Sequence, residues 1–379
     1  MVACALALAV GCGRPAQPTS EPAAGDTTAK AAEPGKVAPE KAPQAAEPAK
    51  EASMAGGSDE TSRILKDQQV VPYADLLHRN QAFAEVEMGP VVGKLTDADK
   101  RFLKPLVEAA DVIDRLFWMQ ASPDGLDWKR RYAEEASREQ LNAYDQLVQR
   151  FVTINAGRFD RLGEMKPFIG TTPKLPGGTM YPPDLTRDEF EKWVAEHPAD
   201  KAAFGSPYTV IVRDGGALRA VPYSEYYRPE LKVLAEKLRE AAAYADSESL
   251  KAFLMQRASD CETNDWAKGD AAWVDVTGSR FEVTVGPYEV YEDTLMSYKA
   301  AFEIFLTVTD PTLSEQLSTV KAHLDEMEAA LPLDDALRGY KRAAGSPIFA
   351  VDLVYSGGDT RAGVQTLAFN LPNDEDVRE

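Results

Sequence analysis

No aromatic residue precedes Tyr73 in this chain of 379 residues. Any hydrophobic core must therefore be built largely from residues beyond that stretch. Residues 14 to 61 are mainly Ala, Pro, Glu, Lys, Thr and Gly, as in AAEPGKVAPEKAPQAAEPAKEA. Such a stretch buries too little apolar surface to offset the entropy of ordering it. Its prolines make it a semi-rigid spacer. The foldable part starts near Ser62 and has room for two or so domains.

The spacer is preceded by MVACALALAVGCG. Ala9-Val10-Gly11-Cys12 resembles a bacterial lipobox, in which the Cys is acylated and becomes the mature N-terminus. Acyl chains anchor a protein to a bilayer. No Lys or Arg stands before the apolar run, a departure from the usual signal pattern. Residues 1–12 are thus read as a lipoprotein-type signal with Cys12 as the lipidation site, and 13–61 as a tether. The expected location is the cell envelope, lipid-anchored, periplasmic or on the outer surface. The net charge of −19 disfavours nucleic acid as a partner and leaves the anchor as the route to a membrane.

Cys4 and Cys12 lie in the leader, so the folded part holds one thiol, Cys261, expected to be a buried small residue. The three histidines, His78, His197 and His323, form no HExxH and no pair at metal-ligand spacing. No metal site is expected from the residues of this chain. No G-x-S-x-G, Walker or GxGxxG pattern occurs.

Helical periodicity is clear in TDADKRFLKPLVEAADVIDRLFWMQ, where Phe102, Leu106, Ala109, Ile113 and Leu116 line one face. Thr96 and Asp99 form its capping box, and Pro105 is a possible kink. Helices are also expected over Ser137–Phe151, after the Thr186 cap, over Pro229–Ala242, over Ser249–Met255, and along the stripe Leu313 to Leu331. All these stripes are read as core faces. Strands are expected in YTVIVRDGGALRAVPY, turning at Asp214-Gly215-Gly216. Two more come from AWVDVTGSRFEVTVGPYEVYE, turning at Thr277-Gly278. IFAVDLVYSGG and AGVQTLAFNLP supply two further strands. The fold class is α+β, mainly helical with a small antiparallel or barrel-like sheet.

Two clusters could carry chemistry. Glu289 and Tyr291 are two apart, which on a strand gives them one face. A carboxylate can pair with a ligand ammonium, and a phenol can donate to a developing oxyanion. Asn370-Leu371-Pro372-Asn373 could clamp a peptide backbone or serve as turn chemistry. The spacing of Asp260, Asp265, Asp270 and Asp275 is not that of an EF-hand. Trp266 and Trp273 are expected to pack there.

Gly286, Glu289, Tyr291 and Asp293, then Ala362-Gly363, then Asn370-Leu371-Pro372-Asn373 with Asp376 and Arg378, are together similar to the dipeptidyl-peptidase III family of M49-type zinc metallopeptidases, bacterial branch. The resemblance runs from about Phe83 to the last residue and is most specific in the last hundred. It implies a two-lobed enzyme. Residues 62–309 would be the substrate-binding lower domain and 310–345 the start of a helical upper domain. Residues 346–379 would carry the N-x-P-N segment. It implies that Glu289 binds the α-ammonium of a peptide with a free N-terminus and that Asn370 and Asn373 hold the same end. Tyr291 would hydrogen-bond the scissile carbonyl as the catalytic residue, and Pro372 and Gly363 would shape the backbone that the substrate strand pairs with. Two departures are Val290 for Thr and the longer VQTLAF between Gly363 and Asn370. Zinc is the expected cofactor of the full-length enzyme, through an H-E-x-x-G-H motif that does not occur here. The expectation is the N-terminal portion of a zinc exopeptidase that removes dipeptides, inactive by itself. Alternatives are a non-catalytic peptide-binding envelope lipoprotein and a structural envelope lipoprotein.

Overall fold

The computed structural model describes residues 61–86, 89–131, 141–334 and 348–373. The chain opens with α1 (Tyr73–Gln81), α2 (Gly89–Val92), α3 (Asp97–Ala121), α4 (Gly125–Arg130) and α5 (Ala143–Asn155). A short ribbon follows, β1 (Phe159–Asp160) with β2 (Lys166–Pro167), then α6 (Arg187–Glu196) and α7 (Lys201–Gly205). The hairpin β3 (Thr209–Asp214) and β4 (Ala217–Pro222) leads into α8 (Tyr223–Tyr226), α9 (Arg228–Ala242), α10 (Glu248–Thr263) and α11 (Trp266–Val274). The main sheet is β5 (Phe281–Glu289), β6 (Ala301–Thr309) and β7 (Val351–Gly358), with α12 (Pro311–Ala322) and α13 (Leu324–Ala329) inserted before β7. The fold is a mixed one, mainly helical with small antiparallel sheets, and β6 lies central in the largest of them.

Helix α3 forms as its sequence dictates. Thr96 accepts from the Asp99 amide at 3.2 Å while Asp99 accepts from the Thr96 amide at 2.8 Å, a reciprocal capping box. The helix runs through Pro105 over 25 residues. Its whole predicted stripe is buried, and it packs on α9 and β6 in one core with Leu231, Leu234 and Leu238 of α9, Phe253 and Leu254 of α10, and the even-numbered face of β6 (Phe302, Ile304, Leu306, Val308). Two smaller clusters flank this core, one around Phe151 and Phe168, the other around Phe190 and Phe204.

Several expectations need correcting. Ala272–Val274 belongs to α11, so AWVDV is not a strand, and β5 pairs with β6 instead. Helix α10 runs past Met255 to Thr263 because Ala258 and Cys261 continue its buried face. Helix α5 starts at Ala143, capped by Asn142, and residues 132–140 lie outside those described. The long helix from Leu313 breaks at His323, and no residue of α12 or α13 is fully buried, so that stripe is not a core face. AGVQTLAFNLP forms no strand: after a 3₁₀ turn at Asp359–Arg361 the chain is irregular, and Val364 and Leu367 are 65% and 74% exposed. Cys261 is buried as expected, and burial pushes its thiol up to about 12. Cys12 lies outside the described residues.

Candidate peptide-binding site

The site grows from an irregularity in β5. Phe281, Val283, Val285 and Pro287 pair with Val308, Leu306, Ile304 and Phe302, the core face. The register then shifts: Pro287 opposes Phe302, but Glu289 opposes Ala301. Tyr288 is the extra residue, a β-bulge. In an unbroken strand Glu289 would share the core face with Val285 and Pro287. The bulge moves it to the opposite face, that of Glu303 and Phe305.

That face is acidic, and Glu303 on it is buried. Glu303 lies on β6 between Gly286 of β5 and Gly358 of β7, so neither neighbour presents a side chain over it. Burial, then the charges of Asp359 and Glu289, push the Glu303 carboxyl well above the carboxylate range. Asp359, next after Gly358, is also raised, by burial and then by Glu292. Gly358 has φ +77°, and a Cβ there would collide with the Phe302 carbonyl oxygen. Its amide donates to Asp114 on α3 at 2.7 Å.

The segment 364–373 reaches the same face. The Phe369 ring lies 4.6 Å from that of Phe305. Asn370 is exposed and Pro372, after a cis peptide bond, is buried. The Asn373 side-chain amide donates to the Tyr288 carbonyl at 3.1 Å. Burial raises the Glu289 carboxyl, and hydrogen bonds from Asn373 and Tyr291 oppose that rise. The Glu289 charge in turn raises the Tyr291 phenol, which is 71% exposed. Glu289, Tyr291 and Asn373 are thus brought together, with Asn370 and Pro372 adjacent along the chain. Gly363, at φ +79°, donates its amide to the Ile154 carbonyl at 2.6 Å, so that donor is engaged within the fold.

The strand-face reading of Glu289 and Tyr291 needs a different basis, because β5 ends at Glu289 and Tyr291 sits in the turn beyond. Asp293 builds that turn. One of its oxygens accepts from the amides of Leu295 and Met296, at 3.1 and 2.9 Å. The other accepts from the Tyr181 hydroxyl at 2.7 Å and from the amides of Tyr298 and Lys299. Sequence reasoning missed Glu292, which is fully buried. It accepts from Arg161 Nη1 at 2.5 Å and meets Lys174 Nζ at 2.9 Å. Burial opposes its charge, but these two cations hold the carboxyl well below its usual value. The partners lie more than a hundred residues away, so no local pattern announces them.

The described residues do not fit zinc. Among the described residues no group of three His, Cys, Asp or Glu could hold a metal ion. All three histidines of the chain are described and lie apart. His197 stacks on Trp193 at 3.9 Å, His323 contacts Glu326 at 3.1 Å, and His78 is on α1. No helix among the described residues is long and apolar enough to cross a membrane.

Residues 214–379 match Peptidase family M49. A structure of DPP III from Caldithrix abyssi is similar at 47% identity and a TM-score of 0.69, covering 75% of this chain and 53% of that one. A structure of dipeptidyl-peptidase III from Corallococcus sp. strain EGB is similar at 39% identity and a TM-score of 0.71, covering 81% of this chain and 57% of that one. A plant protein named Nudix hydrolase 3, from Arabidopsis thaliana, is 30% identical over 350 residues, 78% of this chain and 44% of that protein. The chain spans about half the length of the relatives it matches. Acidic face, bulged strand and Asn-x-Pro-Asn segment therefore sit in a known setting: the chain belongs to peptidase family M49.

Proposed function

We propose that this chain forms the part of a dipeptidyl-peptidase III-type exopeptidase that grips the free N-terminus of a peptide. The observation that supports this best is the meeting of Glu289 with Asn373 across 84 positions of sequence, on a face that also holds Glu303 and Asp359. In this reading the Glu289 carboxylate accepts from the substrate ammonium, and Asn370 and Asn373 bond the first peptide groups. Tyr291 turns its hydroxyl from Glu289 to the scissile carbonyl, and Pro372 and Gly363 hold the flanking backbone in shape. Zinc, the metal expected of the whole enzyme, would supply the activated water. The described residues do not make its site, so in this reading they bind and orient the peptide and no hydrolytic step is assigned to them. The product would be a dipeptide released from the N-terminus.

Calorimetry with a tetrapeptide and its N-acetylated copy tests this. A charge-assisted hydrogen bond contributes about 1.5–3 kcal/mol. Glu289→Gln should therefore weaken free-amine binding by roughly 10- to 100-fold and leave the acetylated peptide unaffected. Equal affinity of the wild-type chain for both peptides contradicts the assignment. The lipid-anchored envelope location rests on Ala9-Val10-Gly11-Cys12 alone and is part of the same proposal.

A further inference from the structure

We propose that Arg257 is the positioning residue of this ammonium clamp, acting through the bulged Tyr288 on Glu289 and Asn373 together; the proposal rests on the reading of the clamp given above. Arg257 lies on α10 and is wholly buried. Its Nη2 donates to Asp270 at 2.5 Å and to the Tyr288 hydroxyl at 3.0 Å. Its Nη1 donates to the Trp266 carbonyl at 3.1 Å and lies 3.3 Å from Asp260 Oδ2. The rings of Phe253, Trp266 and Tyr288 surround the guanidinium carbon at 5.6, 5.7 and 5.8 Å. A Cβ at Gly269 would collide with Asp260 and crowd Arg257, so α11 closes tightly over the group.

A buried ionic network of this kind is weak evidence for stability, since desolvation offsets much of the attraction. What it supplies here is direction. The Tyr288 hydroxyl accepts from Arg257 and donates to the Val285 carbonyl at 3.4 Å, which keeps the bulge residue turned into the protein. With Tyr288 held as the extra residue, Glu289 stands opposite Ala301, on the Glu303 side. The carbonyl of the same Tyr288 receives the Asn373 amide. One guanidinium therefore fixes the face of the carboxylate and the acceptor that seats its partner amide. Neither Arg257 nor Tyr288 need touch a ligand for this to work.

The test uses the full 379-residue chain. Tyr288→Phe removes the anchored hydroxyl and keeps the ring; Arg257→Lys keeps the charge and loses the fork. The readout is the preference for a free-amine tetrapeptide over its acetylated copy. Tyr288→Phe should cut that preference about tenfold, with acetylated-peptide affinity held within about twofold, and Arg257→Lys should cut it at least as much. Adding Tyr288→Phe to Glu289→Gln should change little, because both act on one clamp. Fully additive losses, or equal losses for both peptides, would overturn the proposal. No wild-type preference, or a preference that survives Glu289→Gln, would instead sink the clamp itself. In that case amide exchange decides the positioning role without any peptide. Faster exchange across Gly286–Glu289 in Tyr288→Phe, with β3 and β4 unchanged, supports it, and unchanged exchange across Gly286–Glu289 refutes it.

Discussion

Replacing Glu292 by Gln tests what holds the turn beside the site. The carboxylate is fully buried between Arg161 and Lys174, whose side chains are 11% and 9% exposed. At about 3 Å and an effective dielectric near 20, each attraction is worth about 5 kcal/mol before desolvation. Burying three charged groups offsets much of that. Removing one partner of a buried pair costs about 3–5 kcal/mol, because the other charge is left uncompensated. Gln keeps the shape and one acceptor, which favours the lower end, while two stranded cations favour the upper. We expect a loss of about 3–4 kcal/mol, a large fraction of the roughly 5–15 kcal/mol of a typical fold. Urea unfolding of the two proteins at pH 7 measures it.

The pH dependence gives an independent check with a definite sign. The Glu292 carboxyl is depressed in the folded state from the ordinary value of 4.5. Its stabilisation is therefore fully present above pH 4.5 and is lost as the pH falls below it. Wild type and variant should converge through the acid limb. Asp359, raised in part by the Glu292 charge, should titrate lower in the variant. A difference at pH 7 of about 1 kcal/mol or less, the worth of an exposed bridge, would refute the reasoning. So would a difference that stays constant down the acid limb.

Gly358→Ala combines a left-handed φ with a collision against the Phe302 carbonyl, so it should lose about 3 kcal/mol in urea unfolding. An Ala variant as stable as wild type would show that β7 does not pack this closely on β6 and α3. Cys12→Ser should abolish incorporation of a labelled fatty acid and release the protein from the membrane fraction of a bacterial host. Labelling that persists in Cys12→Ser removes the lipobox reading.

How far the fold could be read from sequence depended on whether its causes were local. Helix α3 was legible because cap and stripe sit within one stretch. The second half of α10 and helix α11 were not, since Arg257, Asp260 and Asp270 fall where a reader expects apolar residues and Gly269 suggests a break. Their burial is explained only by each other, across the helix pair. Strand β6 was overlooked because a central strand buried on both faces has no alternation to detect, and eight of its nine residues are buried. AGVQTLAFNLP alternates well and forms no strand, because of its larger apolar residues only Phe369 finds a partner ring.

The candidate residues could be named from sequence, but not the way the fold places them. The spacing Gly286, Glu289, Tyr291, Asp293 reads as an alternating strand, yet the strand is bulged at Tyr288 and ends at Glu289. The four positions divide by task. Gly286 presents no side chain to Glu303 and lies against the Tyr288 ring, which a Cβ would approach to 3.3 Å. Asp293 ties the turn with five accepted hydrogen bonds. Glu289 and Tyr291 are the two to which the proposed reading gives ligand contacts. Two spacer residues that a pattern treats as free, Tyr288 and Glu292, are the ones through which Arg257, Arg161 and Lys174 grip the segment. A substitution at either spacer should therefore disturb the proposed clamp as surely as one at the residues proposed to touch the peptide.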